Sequence, residues 1–185
     1  MFDQLSELVK QFGGEAVVNN PAVPNEQNDA VMQEAGGSIL SGLQDMVASG
    51  NISDLTGMLT GKTPIDGNNP VVKQLTEKVT GNLGEKFGLS SDAAGSVAGG
   101  LIPQILGGLV NKAKDPNQPG FNMNDLVSAI SGGQGGGGLM DAVTKYGGQF
   151  GLDQNNDGKV DMGDAMAAVT KKGGLGGLLG KLFGK

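Results

Sequence analysis

Apolar residues recur at helical spacing in successive stretches of the chain, and that pattern sets the expected elements. Phe2, Leu5, Leu8, Val9 and Phe12 form the first stripe, which Gly13-Gly14 ends. This predicts a short amphipathic helix that either packs on the body of the protein or docks on a partner. Residues 15 to 25, with NNPAVPN, read as a turn-rich connector. A second helix is expected from about Asn25 to Val47, with Val31, Ile39, Leu40, Leu43 and Met46 on its apolar stripe and Gly36-Gly37 as an interruption. Ser53-Asp54 is placed to cap a short segment carrying Leu55, Met58 and Leu59, and TGKTPIDGNNP then reads as a loop. Within it Gly61 to Thr63 spells Gly-Lys-Thr, but a phosphate loop needs a glycine five residues before the second one. Position 56 is Thr, and no strand precedes it.

From Asn69-Pro70 a helix is expected to about Phe87, with Val71, Val72, Leu75, Val79, Leu83 and Phe87 on one side and Pro70 in its first turn. Gly88 to Ser91 ends it and caps the next helix, whose first turn holds Asp92. Ala93 to Val110 then runs eighteen residues without a charge, long enough to raise the question of a membrane span. Five glycines, with Ser96, Pro103 and Gln104, favour a buried helix kinked at Pro103. Gly99-Gly100 and Gly107-Gly108 would let neighbouring backbones approach closely. After the PNQPG loop, Asn124 is placed to cap a short helix with Leu126, Val127 and Ile130.

The order LGEKFGLSSDAAGSVAGGLIPQILGGLVNKAKDPNQPGFNMNDLV, from Leu83 to Val127, resembles the YidB-like family of small bacterial proteins. The shared features are a helix ending in L-G-x-K-x-G-L/V, a Ser/Asp-capped Ala-rich helix, an apolar L-P-x-I/L-x-x-x-L element, and a Gly/Asn loop before a short Leu helix. The resemblance implies an all-helical fold, partly similar in arrangement to a homeodomain. It carries over no catalytic residues and no assigned activity, and such a shape by itself implies nothing about DNA.

Ser131 to Gly138, SGGQGGGG, reads as a domain linker. Leu139, Met140, Val143 and Tyr146 then lie on one face of a helix that Gly147-Gly148 cuts short. It leads into DQNNDGKVDMGD, from Asp153 to Asp164. Oxygen-bearing side chains occupy loop positions 1, 3, 5, 9 and 12 there: Asp153, Asn155, Asp157, Asp161 and Asp164. Gly158 stands at position 6, where the chain must turn sharply, and Lys159 at position 7 offers its backbone carbonyl. Val160, at position 8, points away from the ion. This is the ligand arithmetic of an EF-hand calcium loop, since a hard cation takes six to eight oxygens. Four carboxylates in twelve residues would repel one another strongly without an ion. The usual last ligand is Glu; Asp164 is one methylene shorter and in this resembles the calcium loops of dockerin modules. The shorter arm implies weaker binding or greater tolerance of magnesium. The alternative for the same residues is an acidic turn with Asp161 as a helix N-cap.

On the exit side Met162, Ala165, Met166 and Val169 repeat at helical spacing, as core or as a groove exposed on ion binding. The tail places Leu175, Leu178, Leu179, Leu182 and Phe183 on one face, with Lys171, Lys172, Lys181 and Lys185 around it. Such a stripe is covered by the protein's own body, by an anionic membrane surface or by a second copy in a homo-oligomer.

Composition narrows the functions. The 185 residues include 35 glycines, no Cys and no His, and all 13 basic residues are Lys. Disulfides, thiol nucleophiles, imidazole bases and arginine readout of guanine are therefore absent. A net charge of −6 opposes a nucleic-acid partner. The N-terminus shows no secretory signal, so a cytoplasmic protein is expected, with peripheral membrane attachment or leaderless export compatible with the same sequence.

The expectation is an all-α protein, a Gly-rich helical bundle with a C-terminal EF-hand-like unit. It divides into an N-terminal helix and linker at 1–24, a YidB-like body at 25–131, and a linker, calcium unit and tail at 132–185. Few contacts should cross the linker, so calcium should order Leu139 to Lys171 more than the body. The expected function is non-enzymatic calcium binding with a structural or regulatory role. The alternative is a peripheral membrane or self-assembling protein in which calcium only stabilises the fold. A metal-assisted hydrolase is disfavoured, because a fully ligated loop leaves little room for substrate.

Overall fold

Helix starts and stops follow from who takes the orphan backbone groups at each end. In the computed structural model, residues 2–115, 121–132, 138–139 and 142–143 are described. They hold α1 (Phe2–Gly13), α2 (Asn28–Ala48), α3 (Ile52–Thr60), α4 (Pro70–Phe87), α5 (Ser91–Lys114) and α6 (Met123–Ile130), with no strand among them. At the head of α4 the Asn69 side-chain oxygen accepts the Val71 N–H at 2.9 Å, and Pro70 follows where no donor is needed. Gly88, at φ 66, closes the helix. Ser90 caps α5 by accepting the Ala93 N–H at 3.2 Å.

Four boundaries differ from the sequence pattern, the first being α3, which starts at Ile52 after Asn51, so that Ser53 and Asp54 lie inside its first turn and not at its cap. The α6 cap is Asn122, not Asn124, because Asp125 stands at the third helical position and returns the bond, both contacts being 3.1 Å. Gly13-Gly14 does not stop the first helix: the chain continues as a π-helical turn over Gly14–Val18, which brings Val17 to complete burial. Helix α2 runs through Gly36-Gly37 unbroken. Val31, Ala35, Ile39 and Leu43 are wholly buried along it, and that packing outweighs a glycine penalty of about 1 kcal/mol each.

Helices α1, α2, α4 and α5 pack in a ring in which α4 lies against α2 and α5, and α1 against α5 and α2. Helix α3 leans on α4 and α2, and α6 on α5 and α2. Ile39, Leu43, Leu75, Leu83, Leu101 and Ile105 fill the core at 0% exposure. Small residues set the helix separations. A Cβ on Gly108 would stand 2.8 Å from Leu8, and one on Gly100 would stand 3.2 Å from Ala16. Their neighbours Gly99 and Gly107 face open space, so one glycine of each pair makes the close approach. Among the described residues, α5 is long and apolar enough to cross a membrane by length and composition, yet 56% of its apolar window is buried inside the protein. Residues 138, 139, 142 and 143 are also helical, and Leu139 and Val143, at 1% and 0% exposure, belong to the same core.

Candidate functional site

The predicted calcium ligands Asp153, Asn155, Asp157, Lys159, Asp161 and Asp164 lie outside the described residues, as do the exit helix and the tail. Among the described residues no group of three or more Asp, Glu, His or Cys side chains could hold a metal ion.

The polar chemistry that is brought together lies between α2 and α4. Ser38, 2% exposed, accepts a hydrogen bond from Asn82 Nδ2 at 2.7 Å and donates to Glu34 Oε1 at 3.1 Å. The other carboxylate oxygen of Glu34 takes Lys86 Nζ at 2.6 Å. One turn before Asn82 on α4, Lys78 pairs with Asp45. Glu34 and Ser38 are four apart, as are Asn82 and Lys86, so each half of this network was visible in the sequence; which helix faced which was not. The buried Ser38 hydroxyl, linked to a half-buried amide and carboxylate, fixes helix register, and the exposed ends of the network add little energy.

Beside the Asp45–Lys78 pair is an open recess of about 130 Å³ that also touches Ser49, Asn51 and Gln74. It is large enough for a few waters. On the opposite flank, Lys112 of α5 pairs with Glu7 of α1 at 2.8 Å. Burial pushes the Lys114 ammonium below its ordinary value. Its Nζ lies beside Gly61, which ends α3 at φ 85. The Gly-Lys-Thr triplet is therefore a helix stop: the Thr63 N–H returns to the Gly57 carbonyl at 3.0 Å, and its side chain packs against Gly57.

What sequence reasoning missed is the placement of Leu139 and Val143 in the bundle core. Their four-residue spacing was read, but the glycine run before them pointed to a separate unit.

No curated protein and no solved structure matches the chain. A family model does match, over residues 69–185, which takes in α4, α5, α6 and everything after them and contains the stretch Leu83 to Val127. On that match, covering more than half of its length, the chain belongs to the family described as bacterial protein of unknown function (DUF937).

Proposed function

We propose that the chain is a non-enzymatic calcium-binding helical protein with a structural or regulatory role, its ion held by the loop from Asp153 to Asp164. The observation that carries this reading is the register of five side-chain oxygens at positions 1, 3, 5, 9 and 12 around Gly158. The donor set is entirely oxygen: four carboxylates, the Asn155 amide and the Lys159 carbonyl. Oxygen donors of that hardness suit calcium or magnesium and not a thiol- or imidazole-seeking metal. The YidB-like pattern from Leu83 to Val127 lies within the family match and supports a helical body that carries this unit.

Calorimetric titration of the full chain tests it. Calcium should bind at one ion per chain, and Asp153→Ala combined with Asp157→Ala should abolish the heat. A double variant that binds with the same stoichiometry and affinity would place the site elsewhere.

The amphipathic tail favours a second reading, a peripheral membrane or self-assembling protein in which calcium only stabilises the fold. Its observation is the stripe Leu175, Leu178, Leu179, Leu182 and Phe183 flanked by lysines in an otherwise acidic chain. Running the titration with and without anionic vesicles, and following mass by light scattering, separates the two readings.

A further inference from the structure

Leu139 and Val143 are four residues apart and both helical, so they share one face of their helix. That face is turned into the bundle: their exposures are 1% and 0%, in the cluster that also contains Ile39, Leu75 and Leu101. Helix α6 packs in the same core before them. Met123, Leu126, Val127 and Ile130 of α6 are buried, and Gln44 Nε2 of α2 donates to the Ala129 carbonyl at 3.1 Å. The residues that seat in the core are thus the ones that open the calcium unit in the sequence, ten positions before its first ligand, Asp153.

We infer that the helix carrying Leu139 and Val143 is shared by the bundle and the calcium unit, so that calcium stabilises the whole helical body. This rests on the calcium reading above. An ion that binds only the folded form multiplies the folding constant by 1 + [L]/Kd. The gain reaches every element that must be folded for the site to exist. An entering helix whose apolar face is seated in the core depends on that seat, and the seat is made by the ring helices. Unfolding them exposes Leu139 and Val143 and dissolves the start of the ion-binding unit. Linker composition alone predicts the opposite, an ion effect confined to the C-terminal third.

Hydrogen exchange on the full-length protein decides between them, with Kd taken from calorimetry on the same sample. At free calcium about 100 times Kd, the slowest core amides of α2, α4 and α5 should exchange about 100-fold more slowly than in chelator. The double variant Asp153→Ala/Asp157→Ala should lose that slowing. Val143→Ala leaves every ligand in place, so its binding heat should persist; it should speed exchange of the body amides without the ion and shrink the calcium effect on them. Binding heat with body amides unchanged by calcium would overturn the coupling and leave the calcium reading intact, as a break at Gly147-Gly148 would produce. Absence of binding heat would overturn both.

Discussion

Gly42 of α2 faces Leu75 of α4 so closely that a methyl group in its place would overlap the leucine side chain. Gly37, in the same helix, is exposed and faces open space. The two positions should respond with opposite signs to one substitution. Gly37→Ala gains helix propensity and should stabilise the protein by roughly 0.5–1 kcal/mol. Gly42→Ala gains the same propensity, but Leu75 is wholly buried and has little room to move. Overpacking of that kind costs about 1–3 kcal/mol, so the net effect should be destabilising. Urea unfolding would read both as shifts in midpoint at constant slope. A stabilised Gly42→Ala variant would mean that α2 and α4 can separate at no cost. The sequence shows both residues only as helix-weakening glycines. What distinguishes them is a residue on another helix, and no local pattern contains that information.

Element boundaries were legible wherever a cap is made by adjacent residues. Asn69-Pro70, Gly88 and Ser90 start and stop α4 and α5 as their chemistry demands. Asn69 does more than cap: its Nδ2 also donates to the Pro64 carbonyl at 2.6 Å, and the residue is 4% exposed. Asn69→Ala should therefore cost about 1–2 kcal/mol, the upper part of the usual range for a lost cap, because the buried amide that ties down the Pro64 carbonyl is lost as well. Asn69→Asp keeps the acceptor for Val71 and loses the donor to Pro64, so it should fall between the two. Thermal melts of the three proteins check the order. Legibility failed where packing overrode a local signal. Gly13-Gly14 is a sound stop by propensity, yet the drive to bury Val17 carries the chain on through a π turn. Gly36-Gly37 is likewise overridden by the buried stripe of α2. Asn122 and Asn124 are equally good caps taken alone, and only the returning bond from Asp125 selects the first. The proposed calcium loop is the converse case: it is read from residue identity and register alone, since its residues Asp153 to Asp164 are consecutive, and it lies outside the described residues.

At the scale of the molecule, the helical class followed from periodicity, while the ring of α1, α2, α4 and α5 did not, because pairings between distant helices leave no local trace. That ring bears on how much of the chain folds as a unit. The family match begins at residue 69, yet α4 and α5 bury their faces on helices that precede it. Leu75 of α4 packs against Gly42, Asn82 bonds Ser38, and Lys86 pairs with Glu34, all on α2. Gly108 of α5 receives Leu8, and Lys112 pairs with Glu7, both on α1. A fragment of residues 69–185 would keep the α4–α5 contact and lose the other side of the core from each helix. Each large apolar side chain returned to water forfeits roughly 1.5–3 kcal/mol, against a total stability of about 5–15 kcal/mol for an ordinary domain. Exposure of only a few such residues would use up that margin. The fragment alone should therefore retain helix by far-ultraviolet circular dichroism but melt without a cooperative transition and bind a hydrophobic dye. Adding residues 1–68 in trans should restore protection of the Leu75 and Leu83 amides, because the missing faces are contiguous on α1 and α2. A fragment that melts cooperatively by itself, with those amides already protected, would show that α1 and α2 are an accessory layer on a self-sufficient family core.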